Sequence, residues 1–275
     1  MTATEMPRVS ATWLDRREAA DASARAVDLV EHLRSGLPAN ARLVLHDLGC
    51  GTGSMGRWLA PQLPGPQHWV MYDRDAELLE YAAAGMPVEA ADGAKVTVET
   101  HQRDITQLMA EDFDEAHVVT AAALLDLLTA SEVEQLAAAC AAAGCAALVT
   151  ISVIGRVELD PAEPLDSAID EAFNAHQRRQ VAGRALLGPD AVRVMEAAFA
   201  RLGMVTTVRP SPWRLGPHDP VLLSEWLTGW LGAACEQQPT LTVAAAEYAA
   251  RRHEQIAQGR LSAVVHHLDL LARHG

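Results

Sequence analysis

Along the first two-thirds of the chain, short apolar blocks alternate with longer stretches in which apolar residues recur at helical spacing. The blocks 42–48, 68–72, 95–101, 116–121 and 146–154 read as five strands; the first (RLVLHDL) reads as a buried strand, and the third (KVTVETH) alternates. Residues 13–34, 54–63, 75–84 and 131–143 read as helices. Leu-Pro-Ala-Asn at 37–40 ends the first, and Pro64, Gly65 and Pro66 end the second. Strands alternating with helices imply an α/β fold: a doubly wound, mostly parallel sheet covered by helices on both faces. After Ile154 the pattern changes. A proline-bearing stretch at 156–188 holds one polar helix near 165–180, and a helix over 189–202 is stopped by Gly203. A strand at 204–209, helices near 220–235 and 242–258 and a last strand within 261–268 complete the reading. One domain is expected: a core at about 42–154, a lid insertion at about 156–188, and C-terminal helices with a last strand across about 204–272.

Charge narrows the partners. The 275 residues carry 36 acidic and 22 basic side chains, a net −14, and 49% of them are hydrophobic, so a globular chain is expected. Binding to phosphate backbones or anionic lipid needs clustered cations, so neither nucleic acid nor membrane is expected as a partner. Cys50, Cys140, Cys145 and Cys235 form no CxxC pair, so no metal is expected. The charged N-terminal stretch does not suit a signal peptide, and a cytoplasmic location is expected. Residues 136–155 run 20 positions without a charge, nominally a membrane span. Gly144, however, divides them into an Ala-rich helix and a β-rich strand.

Chemistry concentrates at Asp47-Leu48-Gly49-Cys50-Gly51-Thr52-Gly53, between the first strand and a helix. Glycines there let the backbone turn sharply and approach a ligand, and the helix start offers free N–H groups. A dinucleotide fold also places an acid about 20 residues further on, as Asp73 does here. Three features point away from NAD or FAD. Ser54 stands where the third dinucleotide glycine would fall, Asp47 would repel a pyrophosphate, and a further acid, Asp104, ends the third strand unit. A cationic ligand with a ribose diol and no phosphate, such as S-adenosylmethionine, suits all three acids.

LHDLGCGTG with YDRD and QRDI resembles the class I S-adenosylmethionine-dependent methyltransferases, over about residues 42–154. The resemblance implies a Rossmann-like fold and S-adenosylmethionine as cofactor. It implies that Gly49, Gly51 and Gly53 line the methionine moiety, that Asp47 serves its amino end through a hydrogen-bond network, and that Asp73 accepts from the ribose hydroxyls. Asp104 and Ile105 would sit beside the adenine, and Thr120 at the fourth strand's end would face cofactor and acceptor. Residues 120–123 depart from the Asn-Pro-Pro-aromatic signature of methyltransferases acting on adenine or glutamine. The implied activity is methyl transfer to a small organic molecule. The alternatives are an inactive S-adenosylmethionine-binding scaffold or sensor, and an NAD-linked oxidoreductase.

Acceptor residues are sought outside the shared core. On the polar helix Ile169, Phe173 and His176 share one face and Asp170, Asn174 and Gln177 another, so Phe173 is a candidate contact and His176 a candidate base. Trp213 and Arg214 offer an aromatic and a guanidinium to a planar or carboxylated acceptor. Trp13 and Arg17 begin a helix that, by the resemblance, would cover the cofactor. The stripe Leu223, Trp226, Leu227 and Trp230 reads as core or as a homodimer contact, and His266-His267 sends its rings to opposite faces of a strand.

Overall fold

The computed structural model describes residues 9–39 and 41–275. The first eight residues of the charged N-terminal stretch, and Asn40 of the helix-ending tetrapeptide, lie outside the described residues. The chain runs α1 (Ala11–Ala24), α2 (Val27–Gly36), β1 (Leu43–Leu48), α3 (Ser54–Leu59), β2 (Gln67–Asp73), α4 (Ala76–Gly85), β3 (Val96–Gln102), β4 (Val118–Ala122), α5 (Ala130–Ala143) and β5 (Ala146–Asp160). It continues through α6 (Asp166–Gln177), the hairpin β6 (Gln180–Val181) and β7 (Arg184–Ala185), α7 (Ala191–Arg201), β8 (Val205–Pro210), β9 (Trp213–Leu215), α8 (Pro220–Gln237), α9 (Thr242–Ala257) and β10 (Ser262–Arg273).

The main sheet has the order β3-β2-β1-β4-β5-β10-β8, with β9 added to β10. Strands β1 to β5 are mutually parallel, and β10 is antiparallel to β5, β8 and β9. The chain winds outward from β1 to β3, then returns to place β4 on the other side of β1. The strand order therefore reverses between β1 and β4, which opens a crevice at their carboxyl ends. The register there sets Asp47 directly opposite Thr120.

Two apolar cores lie on the faces of this sheet. One centres on Leu48, Phe113, Cys140 and Phe199, the other on Leu29, Leu45, Trp69 and Met71. A third core, with Ile169, Trp213, Trp226, Trp230 and Tyr248, belongs to a cap built by α6, α8 and α9 on the outer half of the β5–β10 pair. The stripe Leu223, Trp226, Leu227 and Trp230 is buried inside that cap, at 8% exposure or less, and is core. It therefore offers no surface for a homodimer.

The five strands and the helices between them fall within a few residues of the sequence reading. Two differences position the site. The expected helix at 13–34 is two helices, because Arg25 turns extended, with ψ 137°, and the Ala26 N–H is taken by Asp269 Oδ2 at 2.8 Å. The strands β5 and β10 are far longer than expected. Register shifts in β10 and a left-handed residue, Ile151 (φ 55°), bend their pairing, so that its outer half leaves the sheet as an arm beneath the cap.

Candidate functional site

A cavity of about 490 Å³ lies at the carboxyl ends of β1, β2 and β4, between the sheet and α1. Its floor is the turn after β1. Gly49 and Gly51 hold φ of 59° and 54°, and a Cβ on either would meet Leu124 or Leu14 at 2.9 Å. The left-handed backbone therefore favours glycine at both positions, while the leucine tips can yield to a Cβ. Gly53, also left-handed, packs on Ala82 of α4 instead of lining the cavity, and its role is to seat α3.

Asp47 is 1% exposed and lines the cavity. Its Oδ1 accepts from Thr120 Oγ1 at 2.7 Å, and its Oδ2 is buried without a hydrogen-bond partner among the described residues. Burial pushes the carboxyl up to about 7, against the Thr120 hydrogen bond and the positive charge of Arg25. Thr120 is fully buried beside Asp47 and is not among the residues lining the cavity, so what it does there is aim the carboxylate. Arg25, 3% exposed, lies among Asp21, Asp269 and Asp47 and reaches the Ser54 carbonyl at 3.4 Å. Burial lowers its pKa, and those three carboxylates oppose the shift.

At the end of β2, Asp73 Oδ2 accepts from Gly51 N at 2.9 Å and Oδ1 from Asp75 N at 3.0 Å. Helix α4 is capped by Asp75, whose side chain takes the Glu77 N–H, so Asp73 is released from capping and lines the cavity. Asp104 caps a short turn through Thr106 N at 3.0 Å, and it too lines the cavity, beside Ile105. The structure thus gathers Asp47, Gly49, Gly51, Asp73, Asp104 and Ile105 around one space. Cys50 joins them; its thiol is pushed up by burial and by the neighbouring Asp47, which keeps it protonated.

The remaining expected contacts are not brought to this space. His176 bonds Arg179 at 3.1 Å and Glu236 at 3.3 Å on the far side of α6, because its helical face packs toward α8. Phe173 is half-buried against the cap core, and Arg214 is exposed on β9. Trp213 acts at one remove. Its indole N–H donates to Asp21 Oδ1 at 3.0 Å, and Arg17, ion-paired with Asp21, lies 4.9 Å above its ring. Arg17 and Asp21 do line the cavity, with Trp13 and Leu14 one turn before Arg17 on the same face of α1. Sequence reasoning missed Glu132 and Arg184, which line the cavity from α5 and β7, and also Asp126, which follows β4 between the lining residues Leu124 and Leu127. Burial pushes the Asp126 carboxyl up to about 6, against the charges of Arg17 and Arg179.

His266 faces Glu158 at 3.2 Å while His267 is buried with its ring 5.3 Å from that of Trp213, and among the described residues no three His, Cys, Asp or Glu side chains come together as metal ligands. Nor is any helix of the described residues long and apolar enough to cross a membrane.

The family model described as "Methyltransferase domain" matches residues 45–143, which is the motif-bearing half of the sheet. No curated protein matches the chain. Among solved structures, the chain is similar to the cyclopropane synthase MmaA2 from Mycobacterium tuberculosis, with 13% identity, TM-score 0.47, and coverage of 90% of this chain and 84% of that one. It is similar to a magnesium protoporphyrin IX methyltransferase from Synechocystis, with 15% identity, TM-score 0.46, and coverage of 77% and 84%. A Haemonchus contortus phosphoethanolamine N-methyltransferase 2 shows 14% identity and TM-score 0.45, over 97% of this chain and 58% of that one. By the family model, residues 45–143 match a methyltransferase domain, and this is the stretch that sets the glycine turn and its acids at the switch point of a doubly wound sheet.

Proposed function

We propose that the chain transfers a methyl group from S-adenosylmethionine to a small organic acceptor in the cytoplasm, with S-adenosylhomocysteine as the other product. The observation that carries this reading is the buried Oδ2 of Asp47, without a hydrogen-bond partner among the described residues, on a residue that lines the same cavity as Asp73 and Asp104. Such an oxygen calls for a donor, and an ammonium supplies one. The cofactor brings an already activated methyl group, so the protein's task is alignment and exclusion of water. In this assignment Asp47 and the glycine turn hold the methionine end, Asp73 the ribose hydroxyls, and Asp104 with Ile105 the base. Helix α1 covers the space with Trp13 and Leu14, and Ala123 and Leu124 form the wall after β4. A concave recess of this size favours a small acceptor over a macromolecule, and the net charge of −14 disfavours RNA.

Asp73→Ala is expected to weaken S-adenosylhomocysteine binding by about 100-fold, the worth of two hydrogen bonds to a charged group. Calorimetry checks this, and an unchanged affinity would refute the assignment. Labelled cofactor incubated with fractionated small-molecule extract, followed by mass spectrometry, identifies the acceptor. Binding without transfer to any fraction would favour the scaffold or sensor reading.

Where the acceptor must lose a proton, the accepting group in this reading is Asp126, not His176. It lies four residues after β4, in the turn between the lining residues Leu124 and Leu127, and has a carboxyl at about 6, near the value that suits a general base at neutral pH. The base works deprotonated, so kcat should rise with pH through about 6 and level off above it. Asp126→Asn should abolish that limb and lower kcat by about 100-fold with little change in S-adenosylhomocysteine affinity. A pH–rate profile unchanged in the variant would remove Asp126 from the mechanism.

A further inference from the structure

Arg184 reaches the cavity from the insertion, outside the family-matched residues. The β6–β7 hairpin turns at Ala182 and Gly183, both left-handed (φ 49° and 80°), and folds back over the loop between β4 and α5. Two bonds fix it there: Leu187 N donates to Leu128 O at 2.9 Å and Arg184 Nη2 donates to Leu127 O at 3.0 Å, while Leu186 N donates to Arg179 O at 3.3 Å across the base of the hairpin itself. The guanidinium is also clamped by a carboxylate: Nε donates to Glu132 Oε1 at 2.9 Å and Nη2 to Glu132 Oε2 at 2.6 Å. Glu132 is itself immobile, because Oε2 also takes the Thr129 N–H at 2.8 Å in the capping box that starts α5. A guanidinium bonded on two nitrogens to a fixed carboxylate keeps its plane.

Arg184 lines the cavity with Leu127, Leu128 and Ile105, within the field of Asp104. We infer that Arg184 is a cofactor-binding residue that closes the base subsite from outside and presents its flat cationic face to the purine ring. The inference rests on the assignment of Asp104 and Ile105 to the base. A guanidinium suits this place better than an ammonium, because it stacks on an aromatic face while its edge remains bonded to Glu132. The clamp leaves the ring exposed to a cation already neutralised at its edge, so an uncharged base is not penalised. The insertion and the shared core would then grip the same ligand from opposite sides, and ligand binding would tie the hairpin to the sheet.

Calorimetry with S-adenosylhomocysteine and with 5′-methylthioadenosine, which lacks the amino-acid half, tests the inference on the full-length protein. Arg184→Ala is expected to weaken both ligands by the same factor, about tenfold, with Arg184→Lys recovering little. Glu132→Gln keeps an acceptor for the Thr129 N–H but releases the clamp, and should weaken both ligands by about threefold. Hydrogen exchange at residues 180–185 should slow when either ligand binds. Unchanged affinities in Arg184→Ala, with the unfolding temperature also unchanged, would overturn the inference. So would loss of S-adenosylhomocysteine binding with methylthioadenosine unaffected. If the wild-type protein bound neither ligand, the cofactor assignment would fall and this inference with it. Wild-type binding that depends on Asp73 but not on Arg184 would overturn the inference alone.

Discussion

Asp47→Asn is expected to weaken S-adenosylhomocysteine binding by about 30-fold, and also to raise the unfolding temperature of the ligand-free protein above pH 7. Both effects come from one oxygen. In the ligand-free chain Oδ2 is buried without a donor, and burial lifts the carboxyl from its ordinary value of 3.8 to about 7. A folded-state pKa above the unfolded one means that the folded chain prefers the protonated acid. The resulting stabilisation is full below 3.8 and is lost as the pH rises through about 7. An amide keeps an acceptor for Thr120 and removes the charge, so the variant should gain stability on the order of 2 kcal/mol at pH 8 and little near pH 4. Arg25 loses one counter-charge but keeps Asp21 and Asp269. Binding moves the other way, because the cationic end of the ligand loses its carboxylate. Thermal unfolding at pH 5 and pH 8, with calorimetry, checks both. A lower unfolding temperature at pH 8, or an unaltered affinity, would contradict the account of Asp47.

The second large effect lies outside the cavity. Asp269 is 1% exposed and accepts from Ala26 N and from Ile151 N, each at 2.8 Å. One side chain thus joins the α1–α2 break to the bend in β5. Asp269→Ala should cost about 4 kcal/mol, since two buried N–H groups lose a charged acceptor and Arg25 loses a neighbour. Asp269→Asn, which retains one acceptor, should cost about half as much. Urea unfolding measures both, and a loss below about 1 kcal/mol in the alanine variant would show that the junction is held otherwise. Because α1 roofs the cavity, a variant that still folds should also bind S-adenosylhomocysteine more weakly.

Asp47, Gly49, Gly51 and Asp73 were legible in the sequence because they are local to two strand ends, where a strand–turn–helix pattern dictates backbone shape. The same locality misled elsewhere. His176 and Phe173 share a helical face, but which way that face points depends on α8, about 60 residues further along. Trp213 and Arg214 are adjacent, yet strand alternation buries one against Asp21 and exposes the other. Arg184 gave no signal at all, since its meaning is a bond to Glu132, 52 residues earlier.

The sequence by itself determined the parallel α/β sheet, the glycine turn and the acids that surround it, because hydrophobic period and glycine conformation act over a few residues. Only the tertiary structure decided that β5 and β10 continue as an arm carrying an aromatic cap, that α1 roofs the cavity, and that the oxygen left without a partner belongs to Asp47. Those outcomes depend on burial and on hydrogen bonds between distant segments, and a buried group's cost is set by whatever the whole fold brings beside it.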